Sequence, residues 1–123
     1  MCMQKDRAQK RRDLKGRIML IHIKNENETA AIDTLGAELV SFMGDDGFEH
    51  IWQGDKTYWG GHAPVLFPIV GALRDNRTCI NGEWYEMKRH GVARHEEFTV
   101  TEQGEDYVTL QLTANEETKK QYP

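Results

Sequence analysis

The stretch Ile80-Asn81-Gly82-Glu83-Trp84-Tyr85 decides the fold class. A two-residue hairpin turn that matches the twist of its strands needs positive φ at both central residues, and Asn-Gly supplies this at low steric cost. An Asn-Gly pair between a β-rich segment and an aromatic one therefore predicts a hairpin. The same grammar continues outward. Toward the C-terminus, Glu97–Glu102 and Tyr107–Ala114 flank Gln103-Gly104-Glu105-Asp106 and predict a second hairpin. Toward the N-terminus, Leu20-Ile21-His22-Ile23-Lys24, Thr29–Thr34, Ala37–Met43 and Phe48–Gln53 tend to place apolar residues at every second position, as half-buried strands do. Gly36 and Gly44-Asp45-Asp46-Gly47 punctuate them as turn material. Outside the leading tail, no helix of about ten residues or more is predicted. Short strands with frequent turns predict an all-β, antiparallel sandwich or barrel.

The chain has 123 residues, 38% of them hydrophobic, which fits one domain or part of one. A net charge of −4 and a mean hydropathy of −0.72 point to a water-soluble protein and disfavour a general nucleic-acid binder. No apolar run approaches the roughly 18 to 20 residues needed to cross a bilayer, and no segment has the form of a secretion signal. A cytoplasmic location with no membrane partner is expected. Cys2 and Cys79 make neither a disulfide framework nor a spaced zinc site.

Charge is unevenly spread. Residues 1–17 carry +5 and the remainder carries −9. Residues 1–18 are expected to be a basic disordered tail or a start-site extension, with a short solvated helix or a functional basic arm as the other readings. Patterned sequence begins at Met19, so residues 19–123 are taken as the folded part. Asn115–Pro123 is polar and patternless, with no sign of a cap for an exposed sheet edge. An N-terminal fragment of a larger sandwich is expected on that ground, against the alternative of a small complete sandwich with a frayed end.

Residues 58–77 break ordinary strand logic, because Pro64 and Pro68 flank an apolar run and exclude a central strand. That places the segment along an edge or rim. Arg74 and Arg77 follow, where guanidinium forks suit a polyhydroxy or phosphorylated ligand, although each alone also suits a solvated surface. Arg89-His90-Gly91-Val92-Ala93-Arg94-His95 packs two histidines and two arginines between predicted strands. Histidine exchanges protons near neutral pH, and glycine admits a ligand close to the backbone; a structural role is the competing reading. His22 is expected to face solvent. Trp52, Trp59 and Trp84, with Tyr58 and Tyr85, suit stacking on sugar faces, and the simpler expectation for most of them is the sandwich core. The five histidines show no metal-binding spacing, and no metal site is expected.

In combination, Pro64-Val65-Leu66-Phe67-Pro68-Ile69-Val70-Gly71, the Asn81-Gly82 hairpin and His90-Gly91-Val92-Ala93-Arg94 resemble the N-terminal half of the aldose 1-epimerase (galactose mutarotase-like) family, most closely its LacX-like bacterial branch. The similarity runs from about Met19 to Pro123 and includes Gly36-Ala37-Glu38-Leu39 and Ile51-Trp52-Gln53-Gly54-Asp55. It implies a large antiparallel β-sandwich (supersandwich) with a sugar cleft, present here as its N-terminal portion, and interconversion of aldose anomers without a cofactor. In the family, a glutamate and a histidine from later parts of the chain exchange the protons, assisted by an aspartate, an earlier histidine and an arginine. By that resemblance His90 is the earlier, catalytic histidine, donating to a sugar oxygen. Arg74 and Arg94 orient the substrate, with Phe67 and Trp59 as further substrate-binding residues. Two positions depart from the pattern: Ala72 stands where many relatives carry arginine, and Val92 replaces a common phenylalanine, removing an aromatic wall. Glu83, Glu86, Glu96 and Glu97 match no motif position and read as surface charges. The implied partner is an aldose or sugar phosphate, and oligomeric state is not readable. The competing readings are a noncatalytic carbohydrate-binding sandwich and an interaction protein with a basic arm.

Overall fold

The structure, a computed structural model, describes residues 19–123. The expectation for residues 1–18 lies outside the described residues. Three antiparallel sheets carry the fold. Strands β1 (Leu20–Lys24), β2 (Thr29–Asp33) and β3 (Glu38–Met43) form the first, in the order β1-β2-β3. Ile21 pairs with Ile32, and a register shift between Ala31 and Ile32 interrupts the alternation on β2. Ala31, Ile32 and Asp33 are consequently buried in succession in this central strand. His22 faces solvent, as expected.

The Asn-Gly hairpin forms as read: β4 (Arg77–Ile80) and β5 (Glu83–Glu86) pair Ile80 with Glu83 across the turn. Asn81 and Gly82 both take positive φ, 52° and 87°, the conformation that a primed turn demands. The second expected hairpin is β6 (Thr99–Gln103) with β7 (Val108–Gln111). It is tied to the first sheet at both ends: the Lys24 amide donates to the Glu105 carbonyl at 2.7 Å and the Phe98 amide to the Thr34 carbonyl at 2.9 Å. The Thr34 hydroxyl, fully buried, donates to the Glu97 carboxylate.

Three expectations are corrected. Phe48–Gln53 is not a strand; it keeps a single bridge, Met43 to Glu49. The reason is local competition for backbone donors. The Glu49 carboxylate accepts from the Phe42 amide at 2.8 Å, the Ile51 amide at 2.9 Å and the Ser41 hydroxyl, taking the place of a ladder. Asn115–Pro123 is not patternless: helix α1 (Glu116–Gln121) starts at Asn115, whose side chain accepts from the Glu117 and Thr118 amides while Thr118 answers the Asn115 amide. This reciprocal cap satisfies donors that a helix start leaves open. Finally, the aromatics are mostly outside the core. Trp52, Tyr58, Trp59 and Trp84 are exposed, Tyr58 by 80% and Trp84 by 67%, and only Tyr85 is half-buried. The buried apolar residues are Ile21, Ala31, Ile32, Met87, Val92 and Ala93. A two-stranded sheet such as β4-β5 has little partner surface to cover its faces, and Trp84 stays in water.

Candidate functional site

Two segments without regular secondary structure, residues 64–73 and 87–92, are held against each other. Gly91 makes a parallel bridge with Phe67, and the Phe67 carbonyl accepts from the Val92 amide at 2.8 Å and the Ala93 amide at 3.2 Å. The contact requires glycine: a Cβ on Gly91 would lie 2.2 Å from the Phe67 carbonyl oxygen, and its φ is +75°. The Phe67-Pro68 bond is cis. Pro64 and Pro68 thus sit in a segment outside the named strands, as their chemistry predicts.

Four residues further along, Gly71 meets His90. The Gly71 amide donates to His90 Nδ1 at 2.9 Å, and the His90 amide donates back to the Gly71 carbonyl at 2.8 Å. His90 has φ of +67°, an uncommon conformation for a residue with a Cβ. Arg89 Nε lies 3.3 Å from His90 Nε2. Partial desolvation, then the nearby guanidinium groups of Arg89 and Arg94, hold His90 below the usual imidazole range. His95 is lowered in the same way, by burial, Arg94 and Lys88, with Glu96 opposing. The charge around the histidines is thus cationic and favours their neutral forms.

Gly36 joins this centre to the first sheet. Its amide donates to the Glu96 carbonyl at 2.8 Å and its carbonyl accepts from the Val65 amide at 2.8 Å. A Cβ there would come within 2.8 Å of the Arg94 carbonyl oxygen. The three motifs singled out in the sequence, residues 36–39, 64–71 and 90–94, are therefore in direct contact.

The candidate residues divide in space. Phe67, His90 and Arg94 share the centre just described. Phe67 is half exposed, and its ring meets Tyr122 edge-on with centroids 5.8 Å apart, so the terminal segment adds an aromatic that sequence reading passed over. Its signal was the Asn115 and Thr118 cap, which fixes where Tyr122 falls. Arg74 follows Gly71 in a short 3-10 turn (Arg74–Asn76) and is exposed. Arg77 turns onto the hairpin, its guanidinium 5.1 Å from the Trp84 ring centroid. Trp59 belongs to another group: its ring lies over Gly61, its carbonyl accepts from Trp52 Nε1 at 2.7 Å, and Trp52 packs edge-on to Tyr58. Val92 is buried, with 4% of its surface exposed, and so points into the core rather than along a ligand surface. Beneath the rim, the buried Glu38 carboxylate accepts from the His62 amide at 2.9 Å. Among the described residues no cluster of three His, Cys, Asp or Glu side chains is placed to hold a metal ion, and no helix is long and apolar enough to cross a membrane.

Known proteins resemble this chain in sequence and in fold. A family model described as aldose 1-epimerase matches residues 19–123. The plasmid-encoded protein LacX of Lactococcus lactis subsp. lactis is 40% identical over 109 residues, which cover 85% of this chain and 36% of the relative. The chromosomal LacX is 41% identical over 112 residues, with the same coverage. The crystal structure of a galactose mutarotase-like protein from Lactobacillus casei ATCC 334 superposes with a TM-score of 0.82 at 38% identity, over 85% of this chain and 36% of that one. A galactose mutarotase related enzyme from Lactobacillus acidophilus gives 0.82 at 39% identity, over 85% and 35%. The chain thus spans about 36% of the length of the curated relatives it matches. Its all-β, antiparallel fold is that of part of a galactose mutarotase-like sandwich, and the chain belongs to the aldose 1-epimerase family.

Proposed function

We propose that residues 19–123 supply the sugar-gripping part of a cytoplasmic aldose 1-epimerase-like protein. Exchange of α and β anomers needs a base to take the C1 hydroxyl proton and an acid to protonate the ring oxygen, after which the open aldehyde recloses on its other face. His90 acts as a donor to a sugar oxygen, Arg94 and Arg74 orient hydroxyl groups, and Phe67 offers an apolar face, with Trp59 as a more distant aromatic. The observation that carries this reading is the clasp between residues 67–71 and 90–93, which holds the His90 ring against the Gly71 amide and beside Arg89. A free aldose is the favoured substrate. A sugar phosphate would draw on Arg74 and Arg94, since Arg77 is occupied by Trp84.

A second reading, a carbohydrate-binding module without catalysis, is favoured by one observation: the polar neighbours of the His90 ring nitrogens are the Gly71 amide and Arg89 Nε, not a carboxylate. In our reading the base comes from residues other than those described. NMR exchange spectroscopy of D-galactose anomers, with the 123-residue chain added, tests both. Saturable binding without exchange is the expected result. Anomer exchange by this chain would place the base within it and overturn the gripping-part reading. Absence of binding to D-galactose, D-glucose and their 6-phosphates would overturn both sugar readings.

A further inference from the structure

Two N–H donors converge on the imidazole of His90, one at each nitrogen. The Gly71 amide lies 2.9 Å from Nδ1 and Arg89 Nε lies 3.3 Å from Nε2. A neutral imidazole has one accepting nitrogen and one N–H, and an imidazolium has no acceptor at all. Both contacts therefore cannot be hydrogen bonds at the same time, and the one that is satisfied decides what His90 presents to a ligand.

The two donors differ in freedom. The Gly71 amide is held in place because its own residue's carbonyl accepts from the His90 amide at 2.8 Å, so the two residues are joined by reciprocal bonds. Turning the Gly71 amide away means rotating backbone in a segment that this second bond anchors. Arg89 is an exposed side chain on a flexible stem, and 3.3 Å is long for a charge-assisted bond. Its head can move at small cost. Charging the ring is opposed by partial desolvation and by the neighbouring guanidinium groups.

We propose that the Gly71 amide locks His90 as the neutral Nε2–H tautomer, so that Nε2–H and the Nε–H of Arg89 form a paired donor for one acceptor oxygen. With no acceptor between them these N–H groups repel; a hydroxyl or ring oxygen satisfies both. Gly71 is then a positioning residue, and Arg89 is a ligand-binding residue that the family motif did not single out. The identity of the acceptor as a sugar oxygen rests on the function proposed above, whereas the tautomer does not.

Long-range proton–nitrogen correlation spectra of the 15N-labelled full chain read the tautomer directly. The expected pattern has a pyridine-like Nδ1 and a protonated Nε2 for His90. A protonated Nδ1, an averaged pattern, or an imidazolium at neutral pH would overturn the proposal. D-galactose titration of His90→Gln and His90→Asn provides the second readout. Glutamine carries its amide nitrogen near the reach of Nε2 and asparagine near that of Nδ1, so the glutamine variant should bind about fivefold more tightly. Arg89→Ala should weaken binding of the unmodified-His90 chain by about fivefold. Equal affinities for the two His90 variants, or the reverse order, would overturn the donor assignment. An Nε2–H pattern in a chain that does not respond to D-galactose would support the lock and remove the sugar reading, which separates the two failures.

Discussion

Gly91 tolerates no side chain. Alanine there would place its Cβ 2.2 Å from the Phe67 carbonyl oxygen at a φ of +75°, so strain and overpacking add. Gly91→Ala should destabilise the fold by about 3 kcal/mol or more, seen as a lower urea midpoint. At Glu49, partial burial pushes the carboxyl pKa up. The Ser41 hydroxyl, the Phe42 and Ile51 amides and the His50 charge outweigh burial and hold it below 4.5. A carboxylate lowered on folding adds stability above its unfolded pKa, and that stability disappears as pH falls through the folded value. Thermal melts should therefore show a loss below about pH 4.5 that is reduced in Glu49→Gln. The motif His90-Gly91 stood out in the sequence as a candidate because a histidine beside glycine is unusual chemistry for a connection. Its positive φ, which aims Nδ1 at Gly71, was not legible, because it follows from hydrogen bonds to a segment nineteen positions away.

At the scale of elements, strand positions followed from alternation and from turn chemistry. Asn81-Gly82 fixes its hairpin because the two residues admit the required φ without strain. Phe48–Gln53 shows where alternation misleads. A side-chain carboxylate that satisfies nearby amides removes the need for a partner strand, and periodicity contains no signal for that. Helix α1 was missed for the opposite reason: six residues are too few for an amphipathic period, and only the Asn115-x-x-Thr118 cap marks it. Asn115 also donates to Glu96 at 2.7 Å, and Gln121 accepts from the Lys88 amide at 3.3 Å. Asn115→Ala should cost about 1 kcal/mol and speed hydrogen exchange at the Lys119 and Tyr122 amides, measured by NMR. Because Tyr122 packs on Phe67, the same variant should shift the Phe67 ring resonances.

For the whole molecule, charge divides the chain into a +5 segment and a −9 remainder. Removing residues 1–18 should delay elution from an anion exchanger and abolish any attachment to anionic vesicles at about 0.15 M salt, since that attachment needs the basic cluster. Vesicle binding that persists in the shortened chain would locate it among the described residues. The all-β class, the two hairpins, the exclusion of the proline segment from the strands and the family are written in local sequence: turn residues dictate φ, alternation dictates faces, and a motif is a local string. Burial of the aromatics and the meeting of Gly36, Phe67, Gly71, His90 and Arg94 are not local quantities. They depend on which segments are brought side by side, and only the tertiary structure decided that the tryptophans stay in water while a glycine amide settles which nitrogen of a distant histidine it approaches.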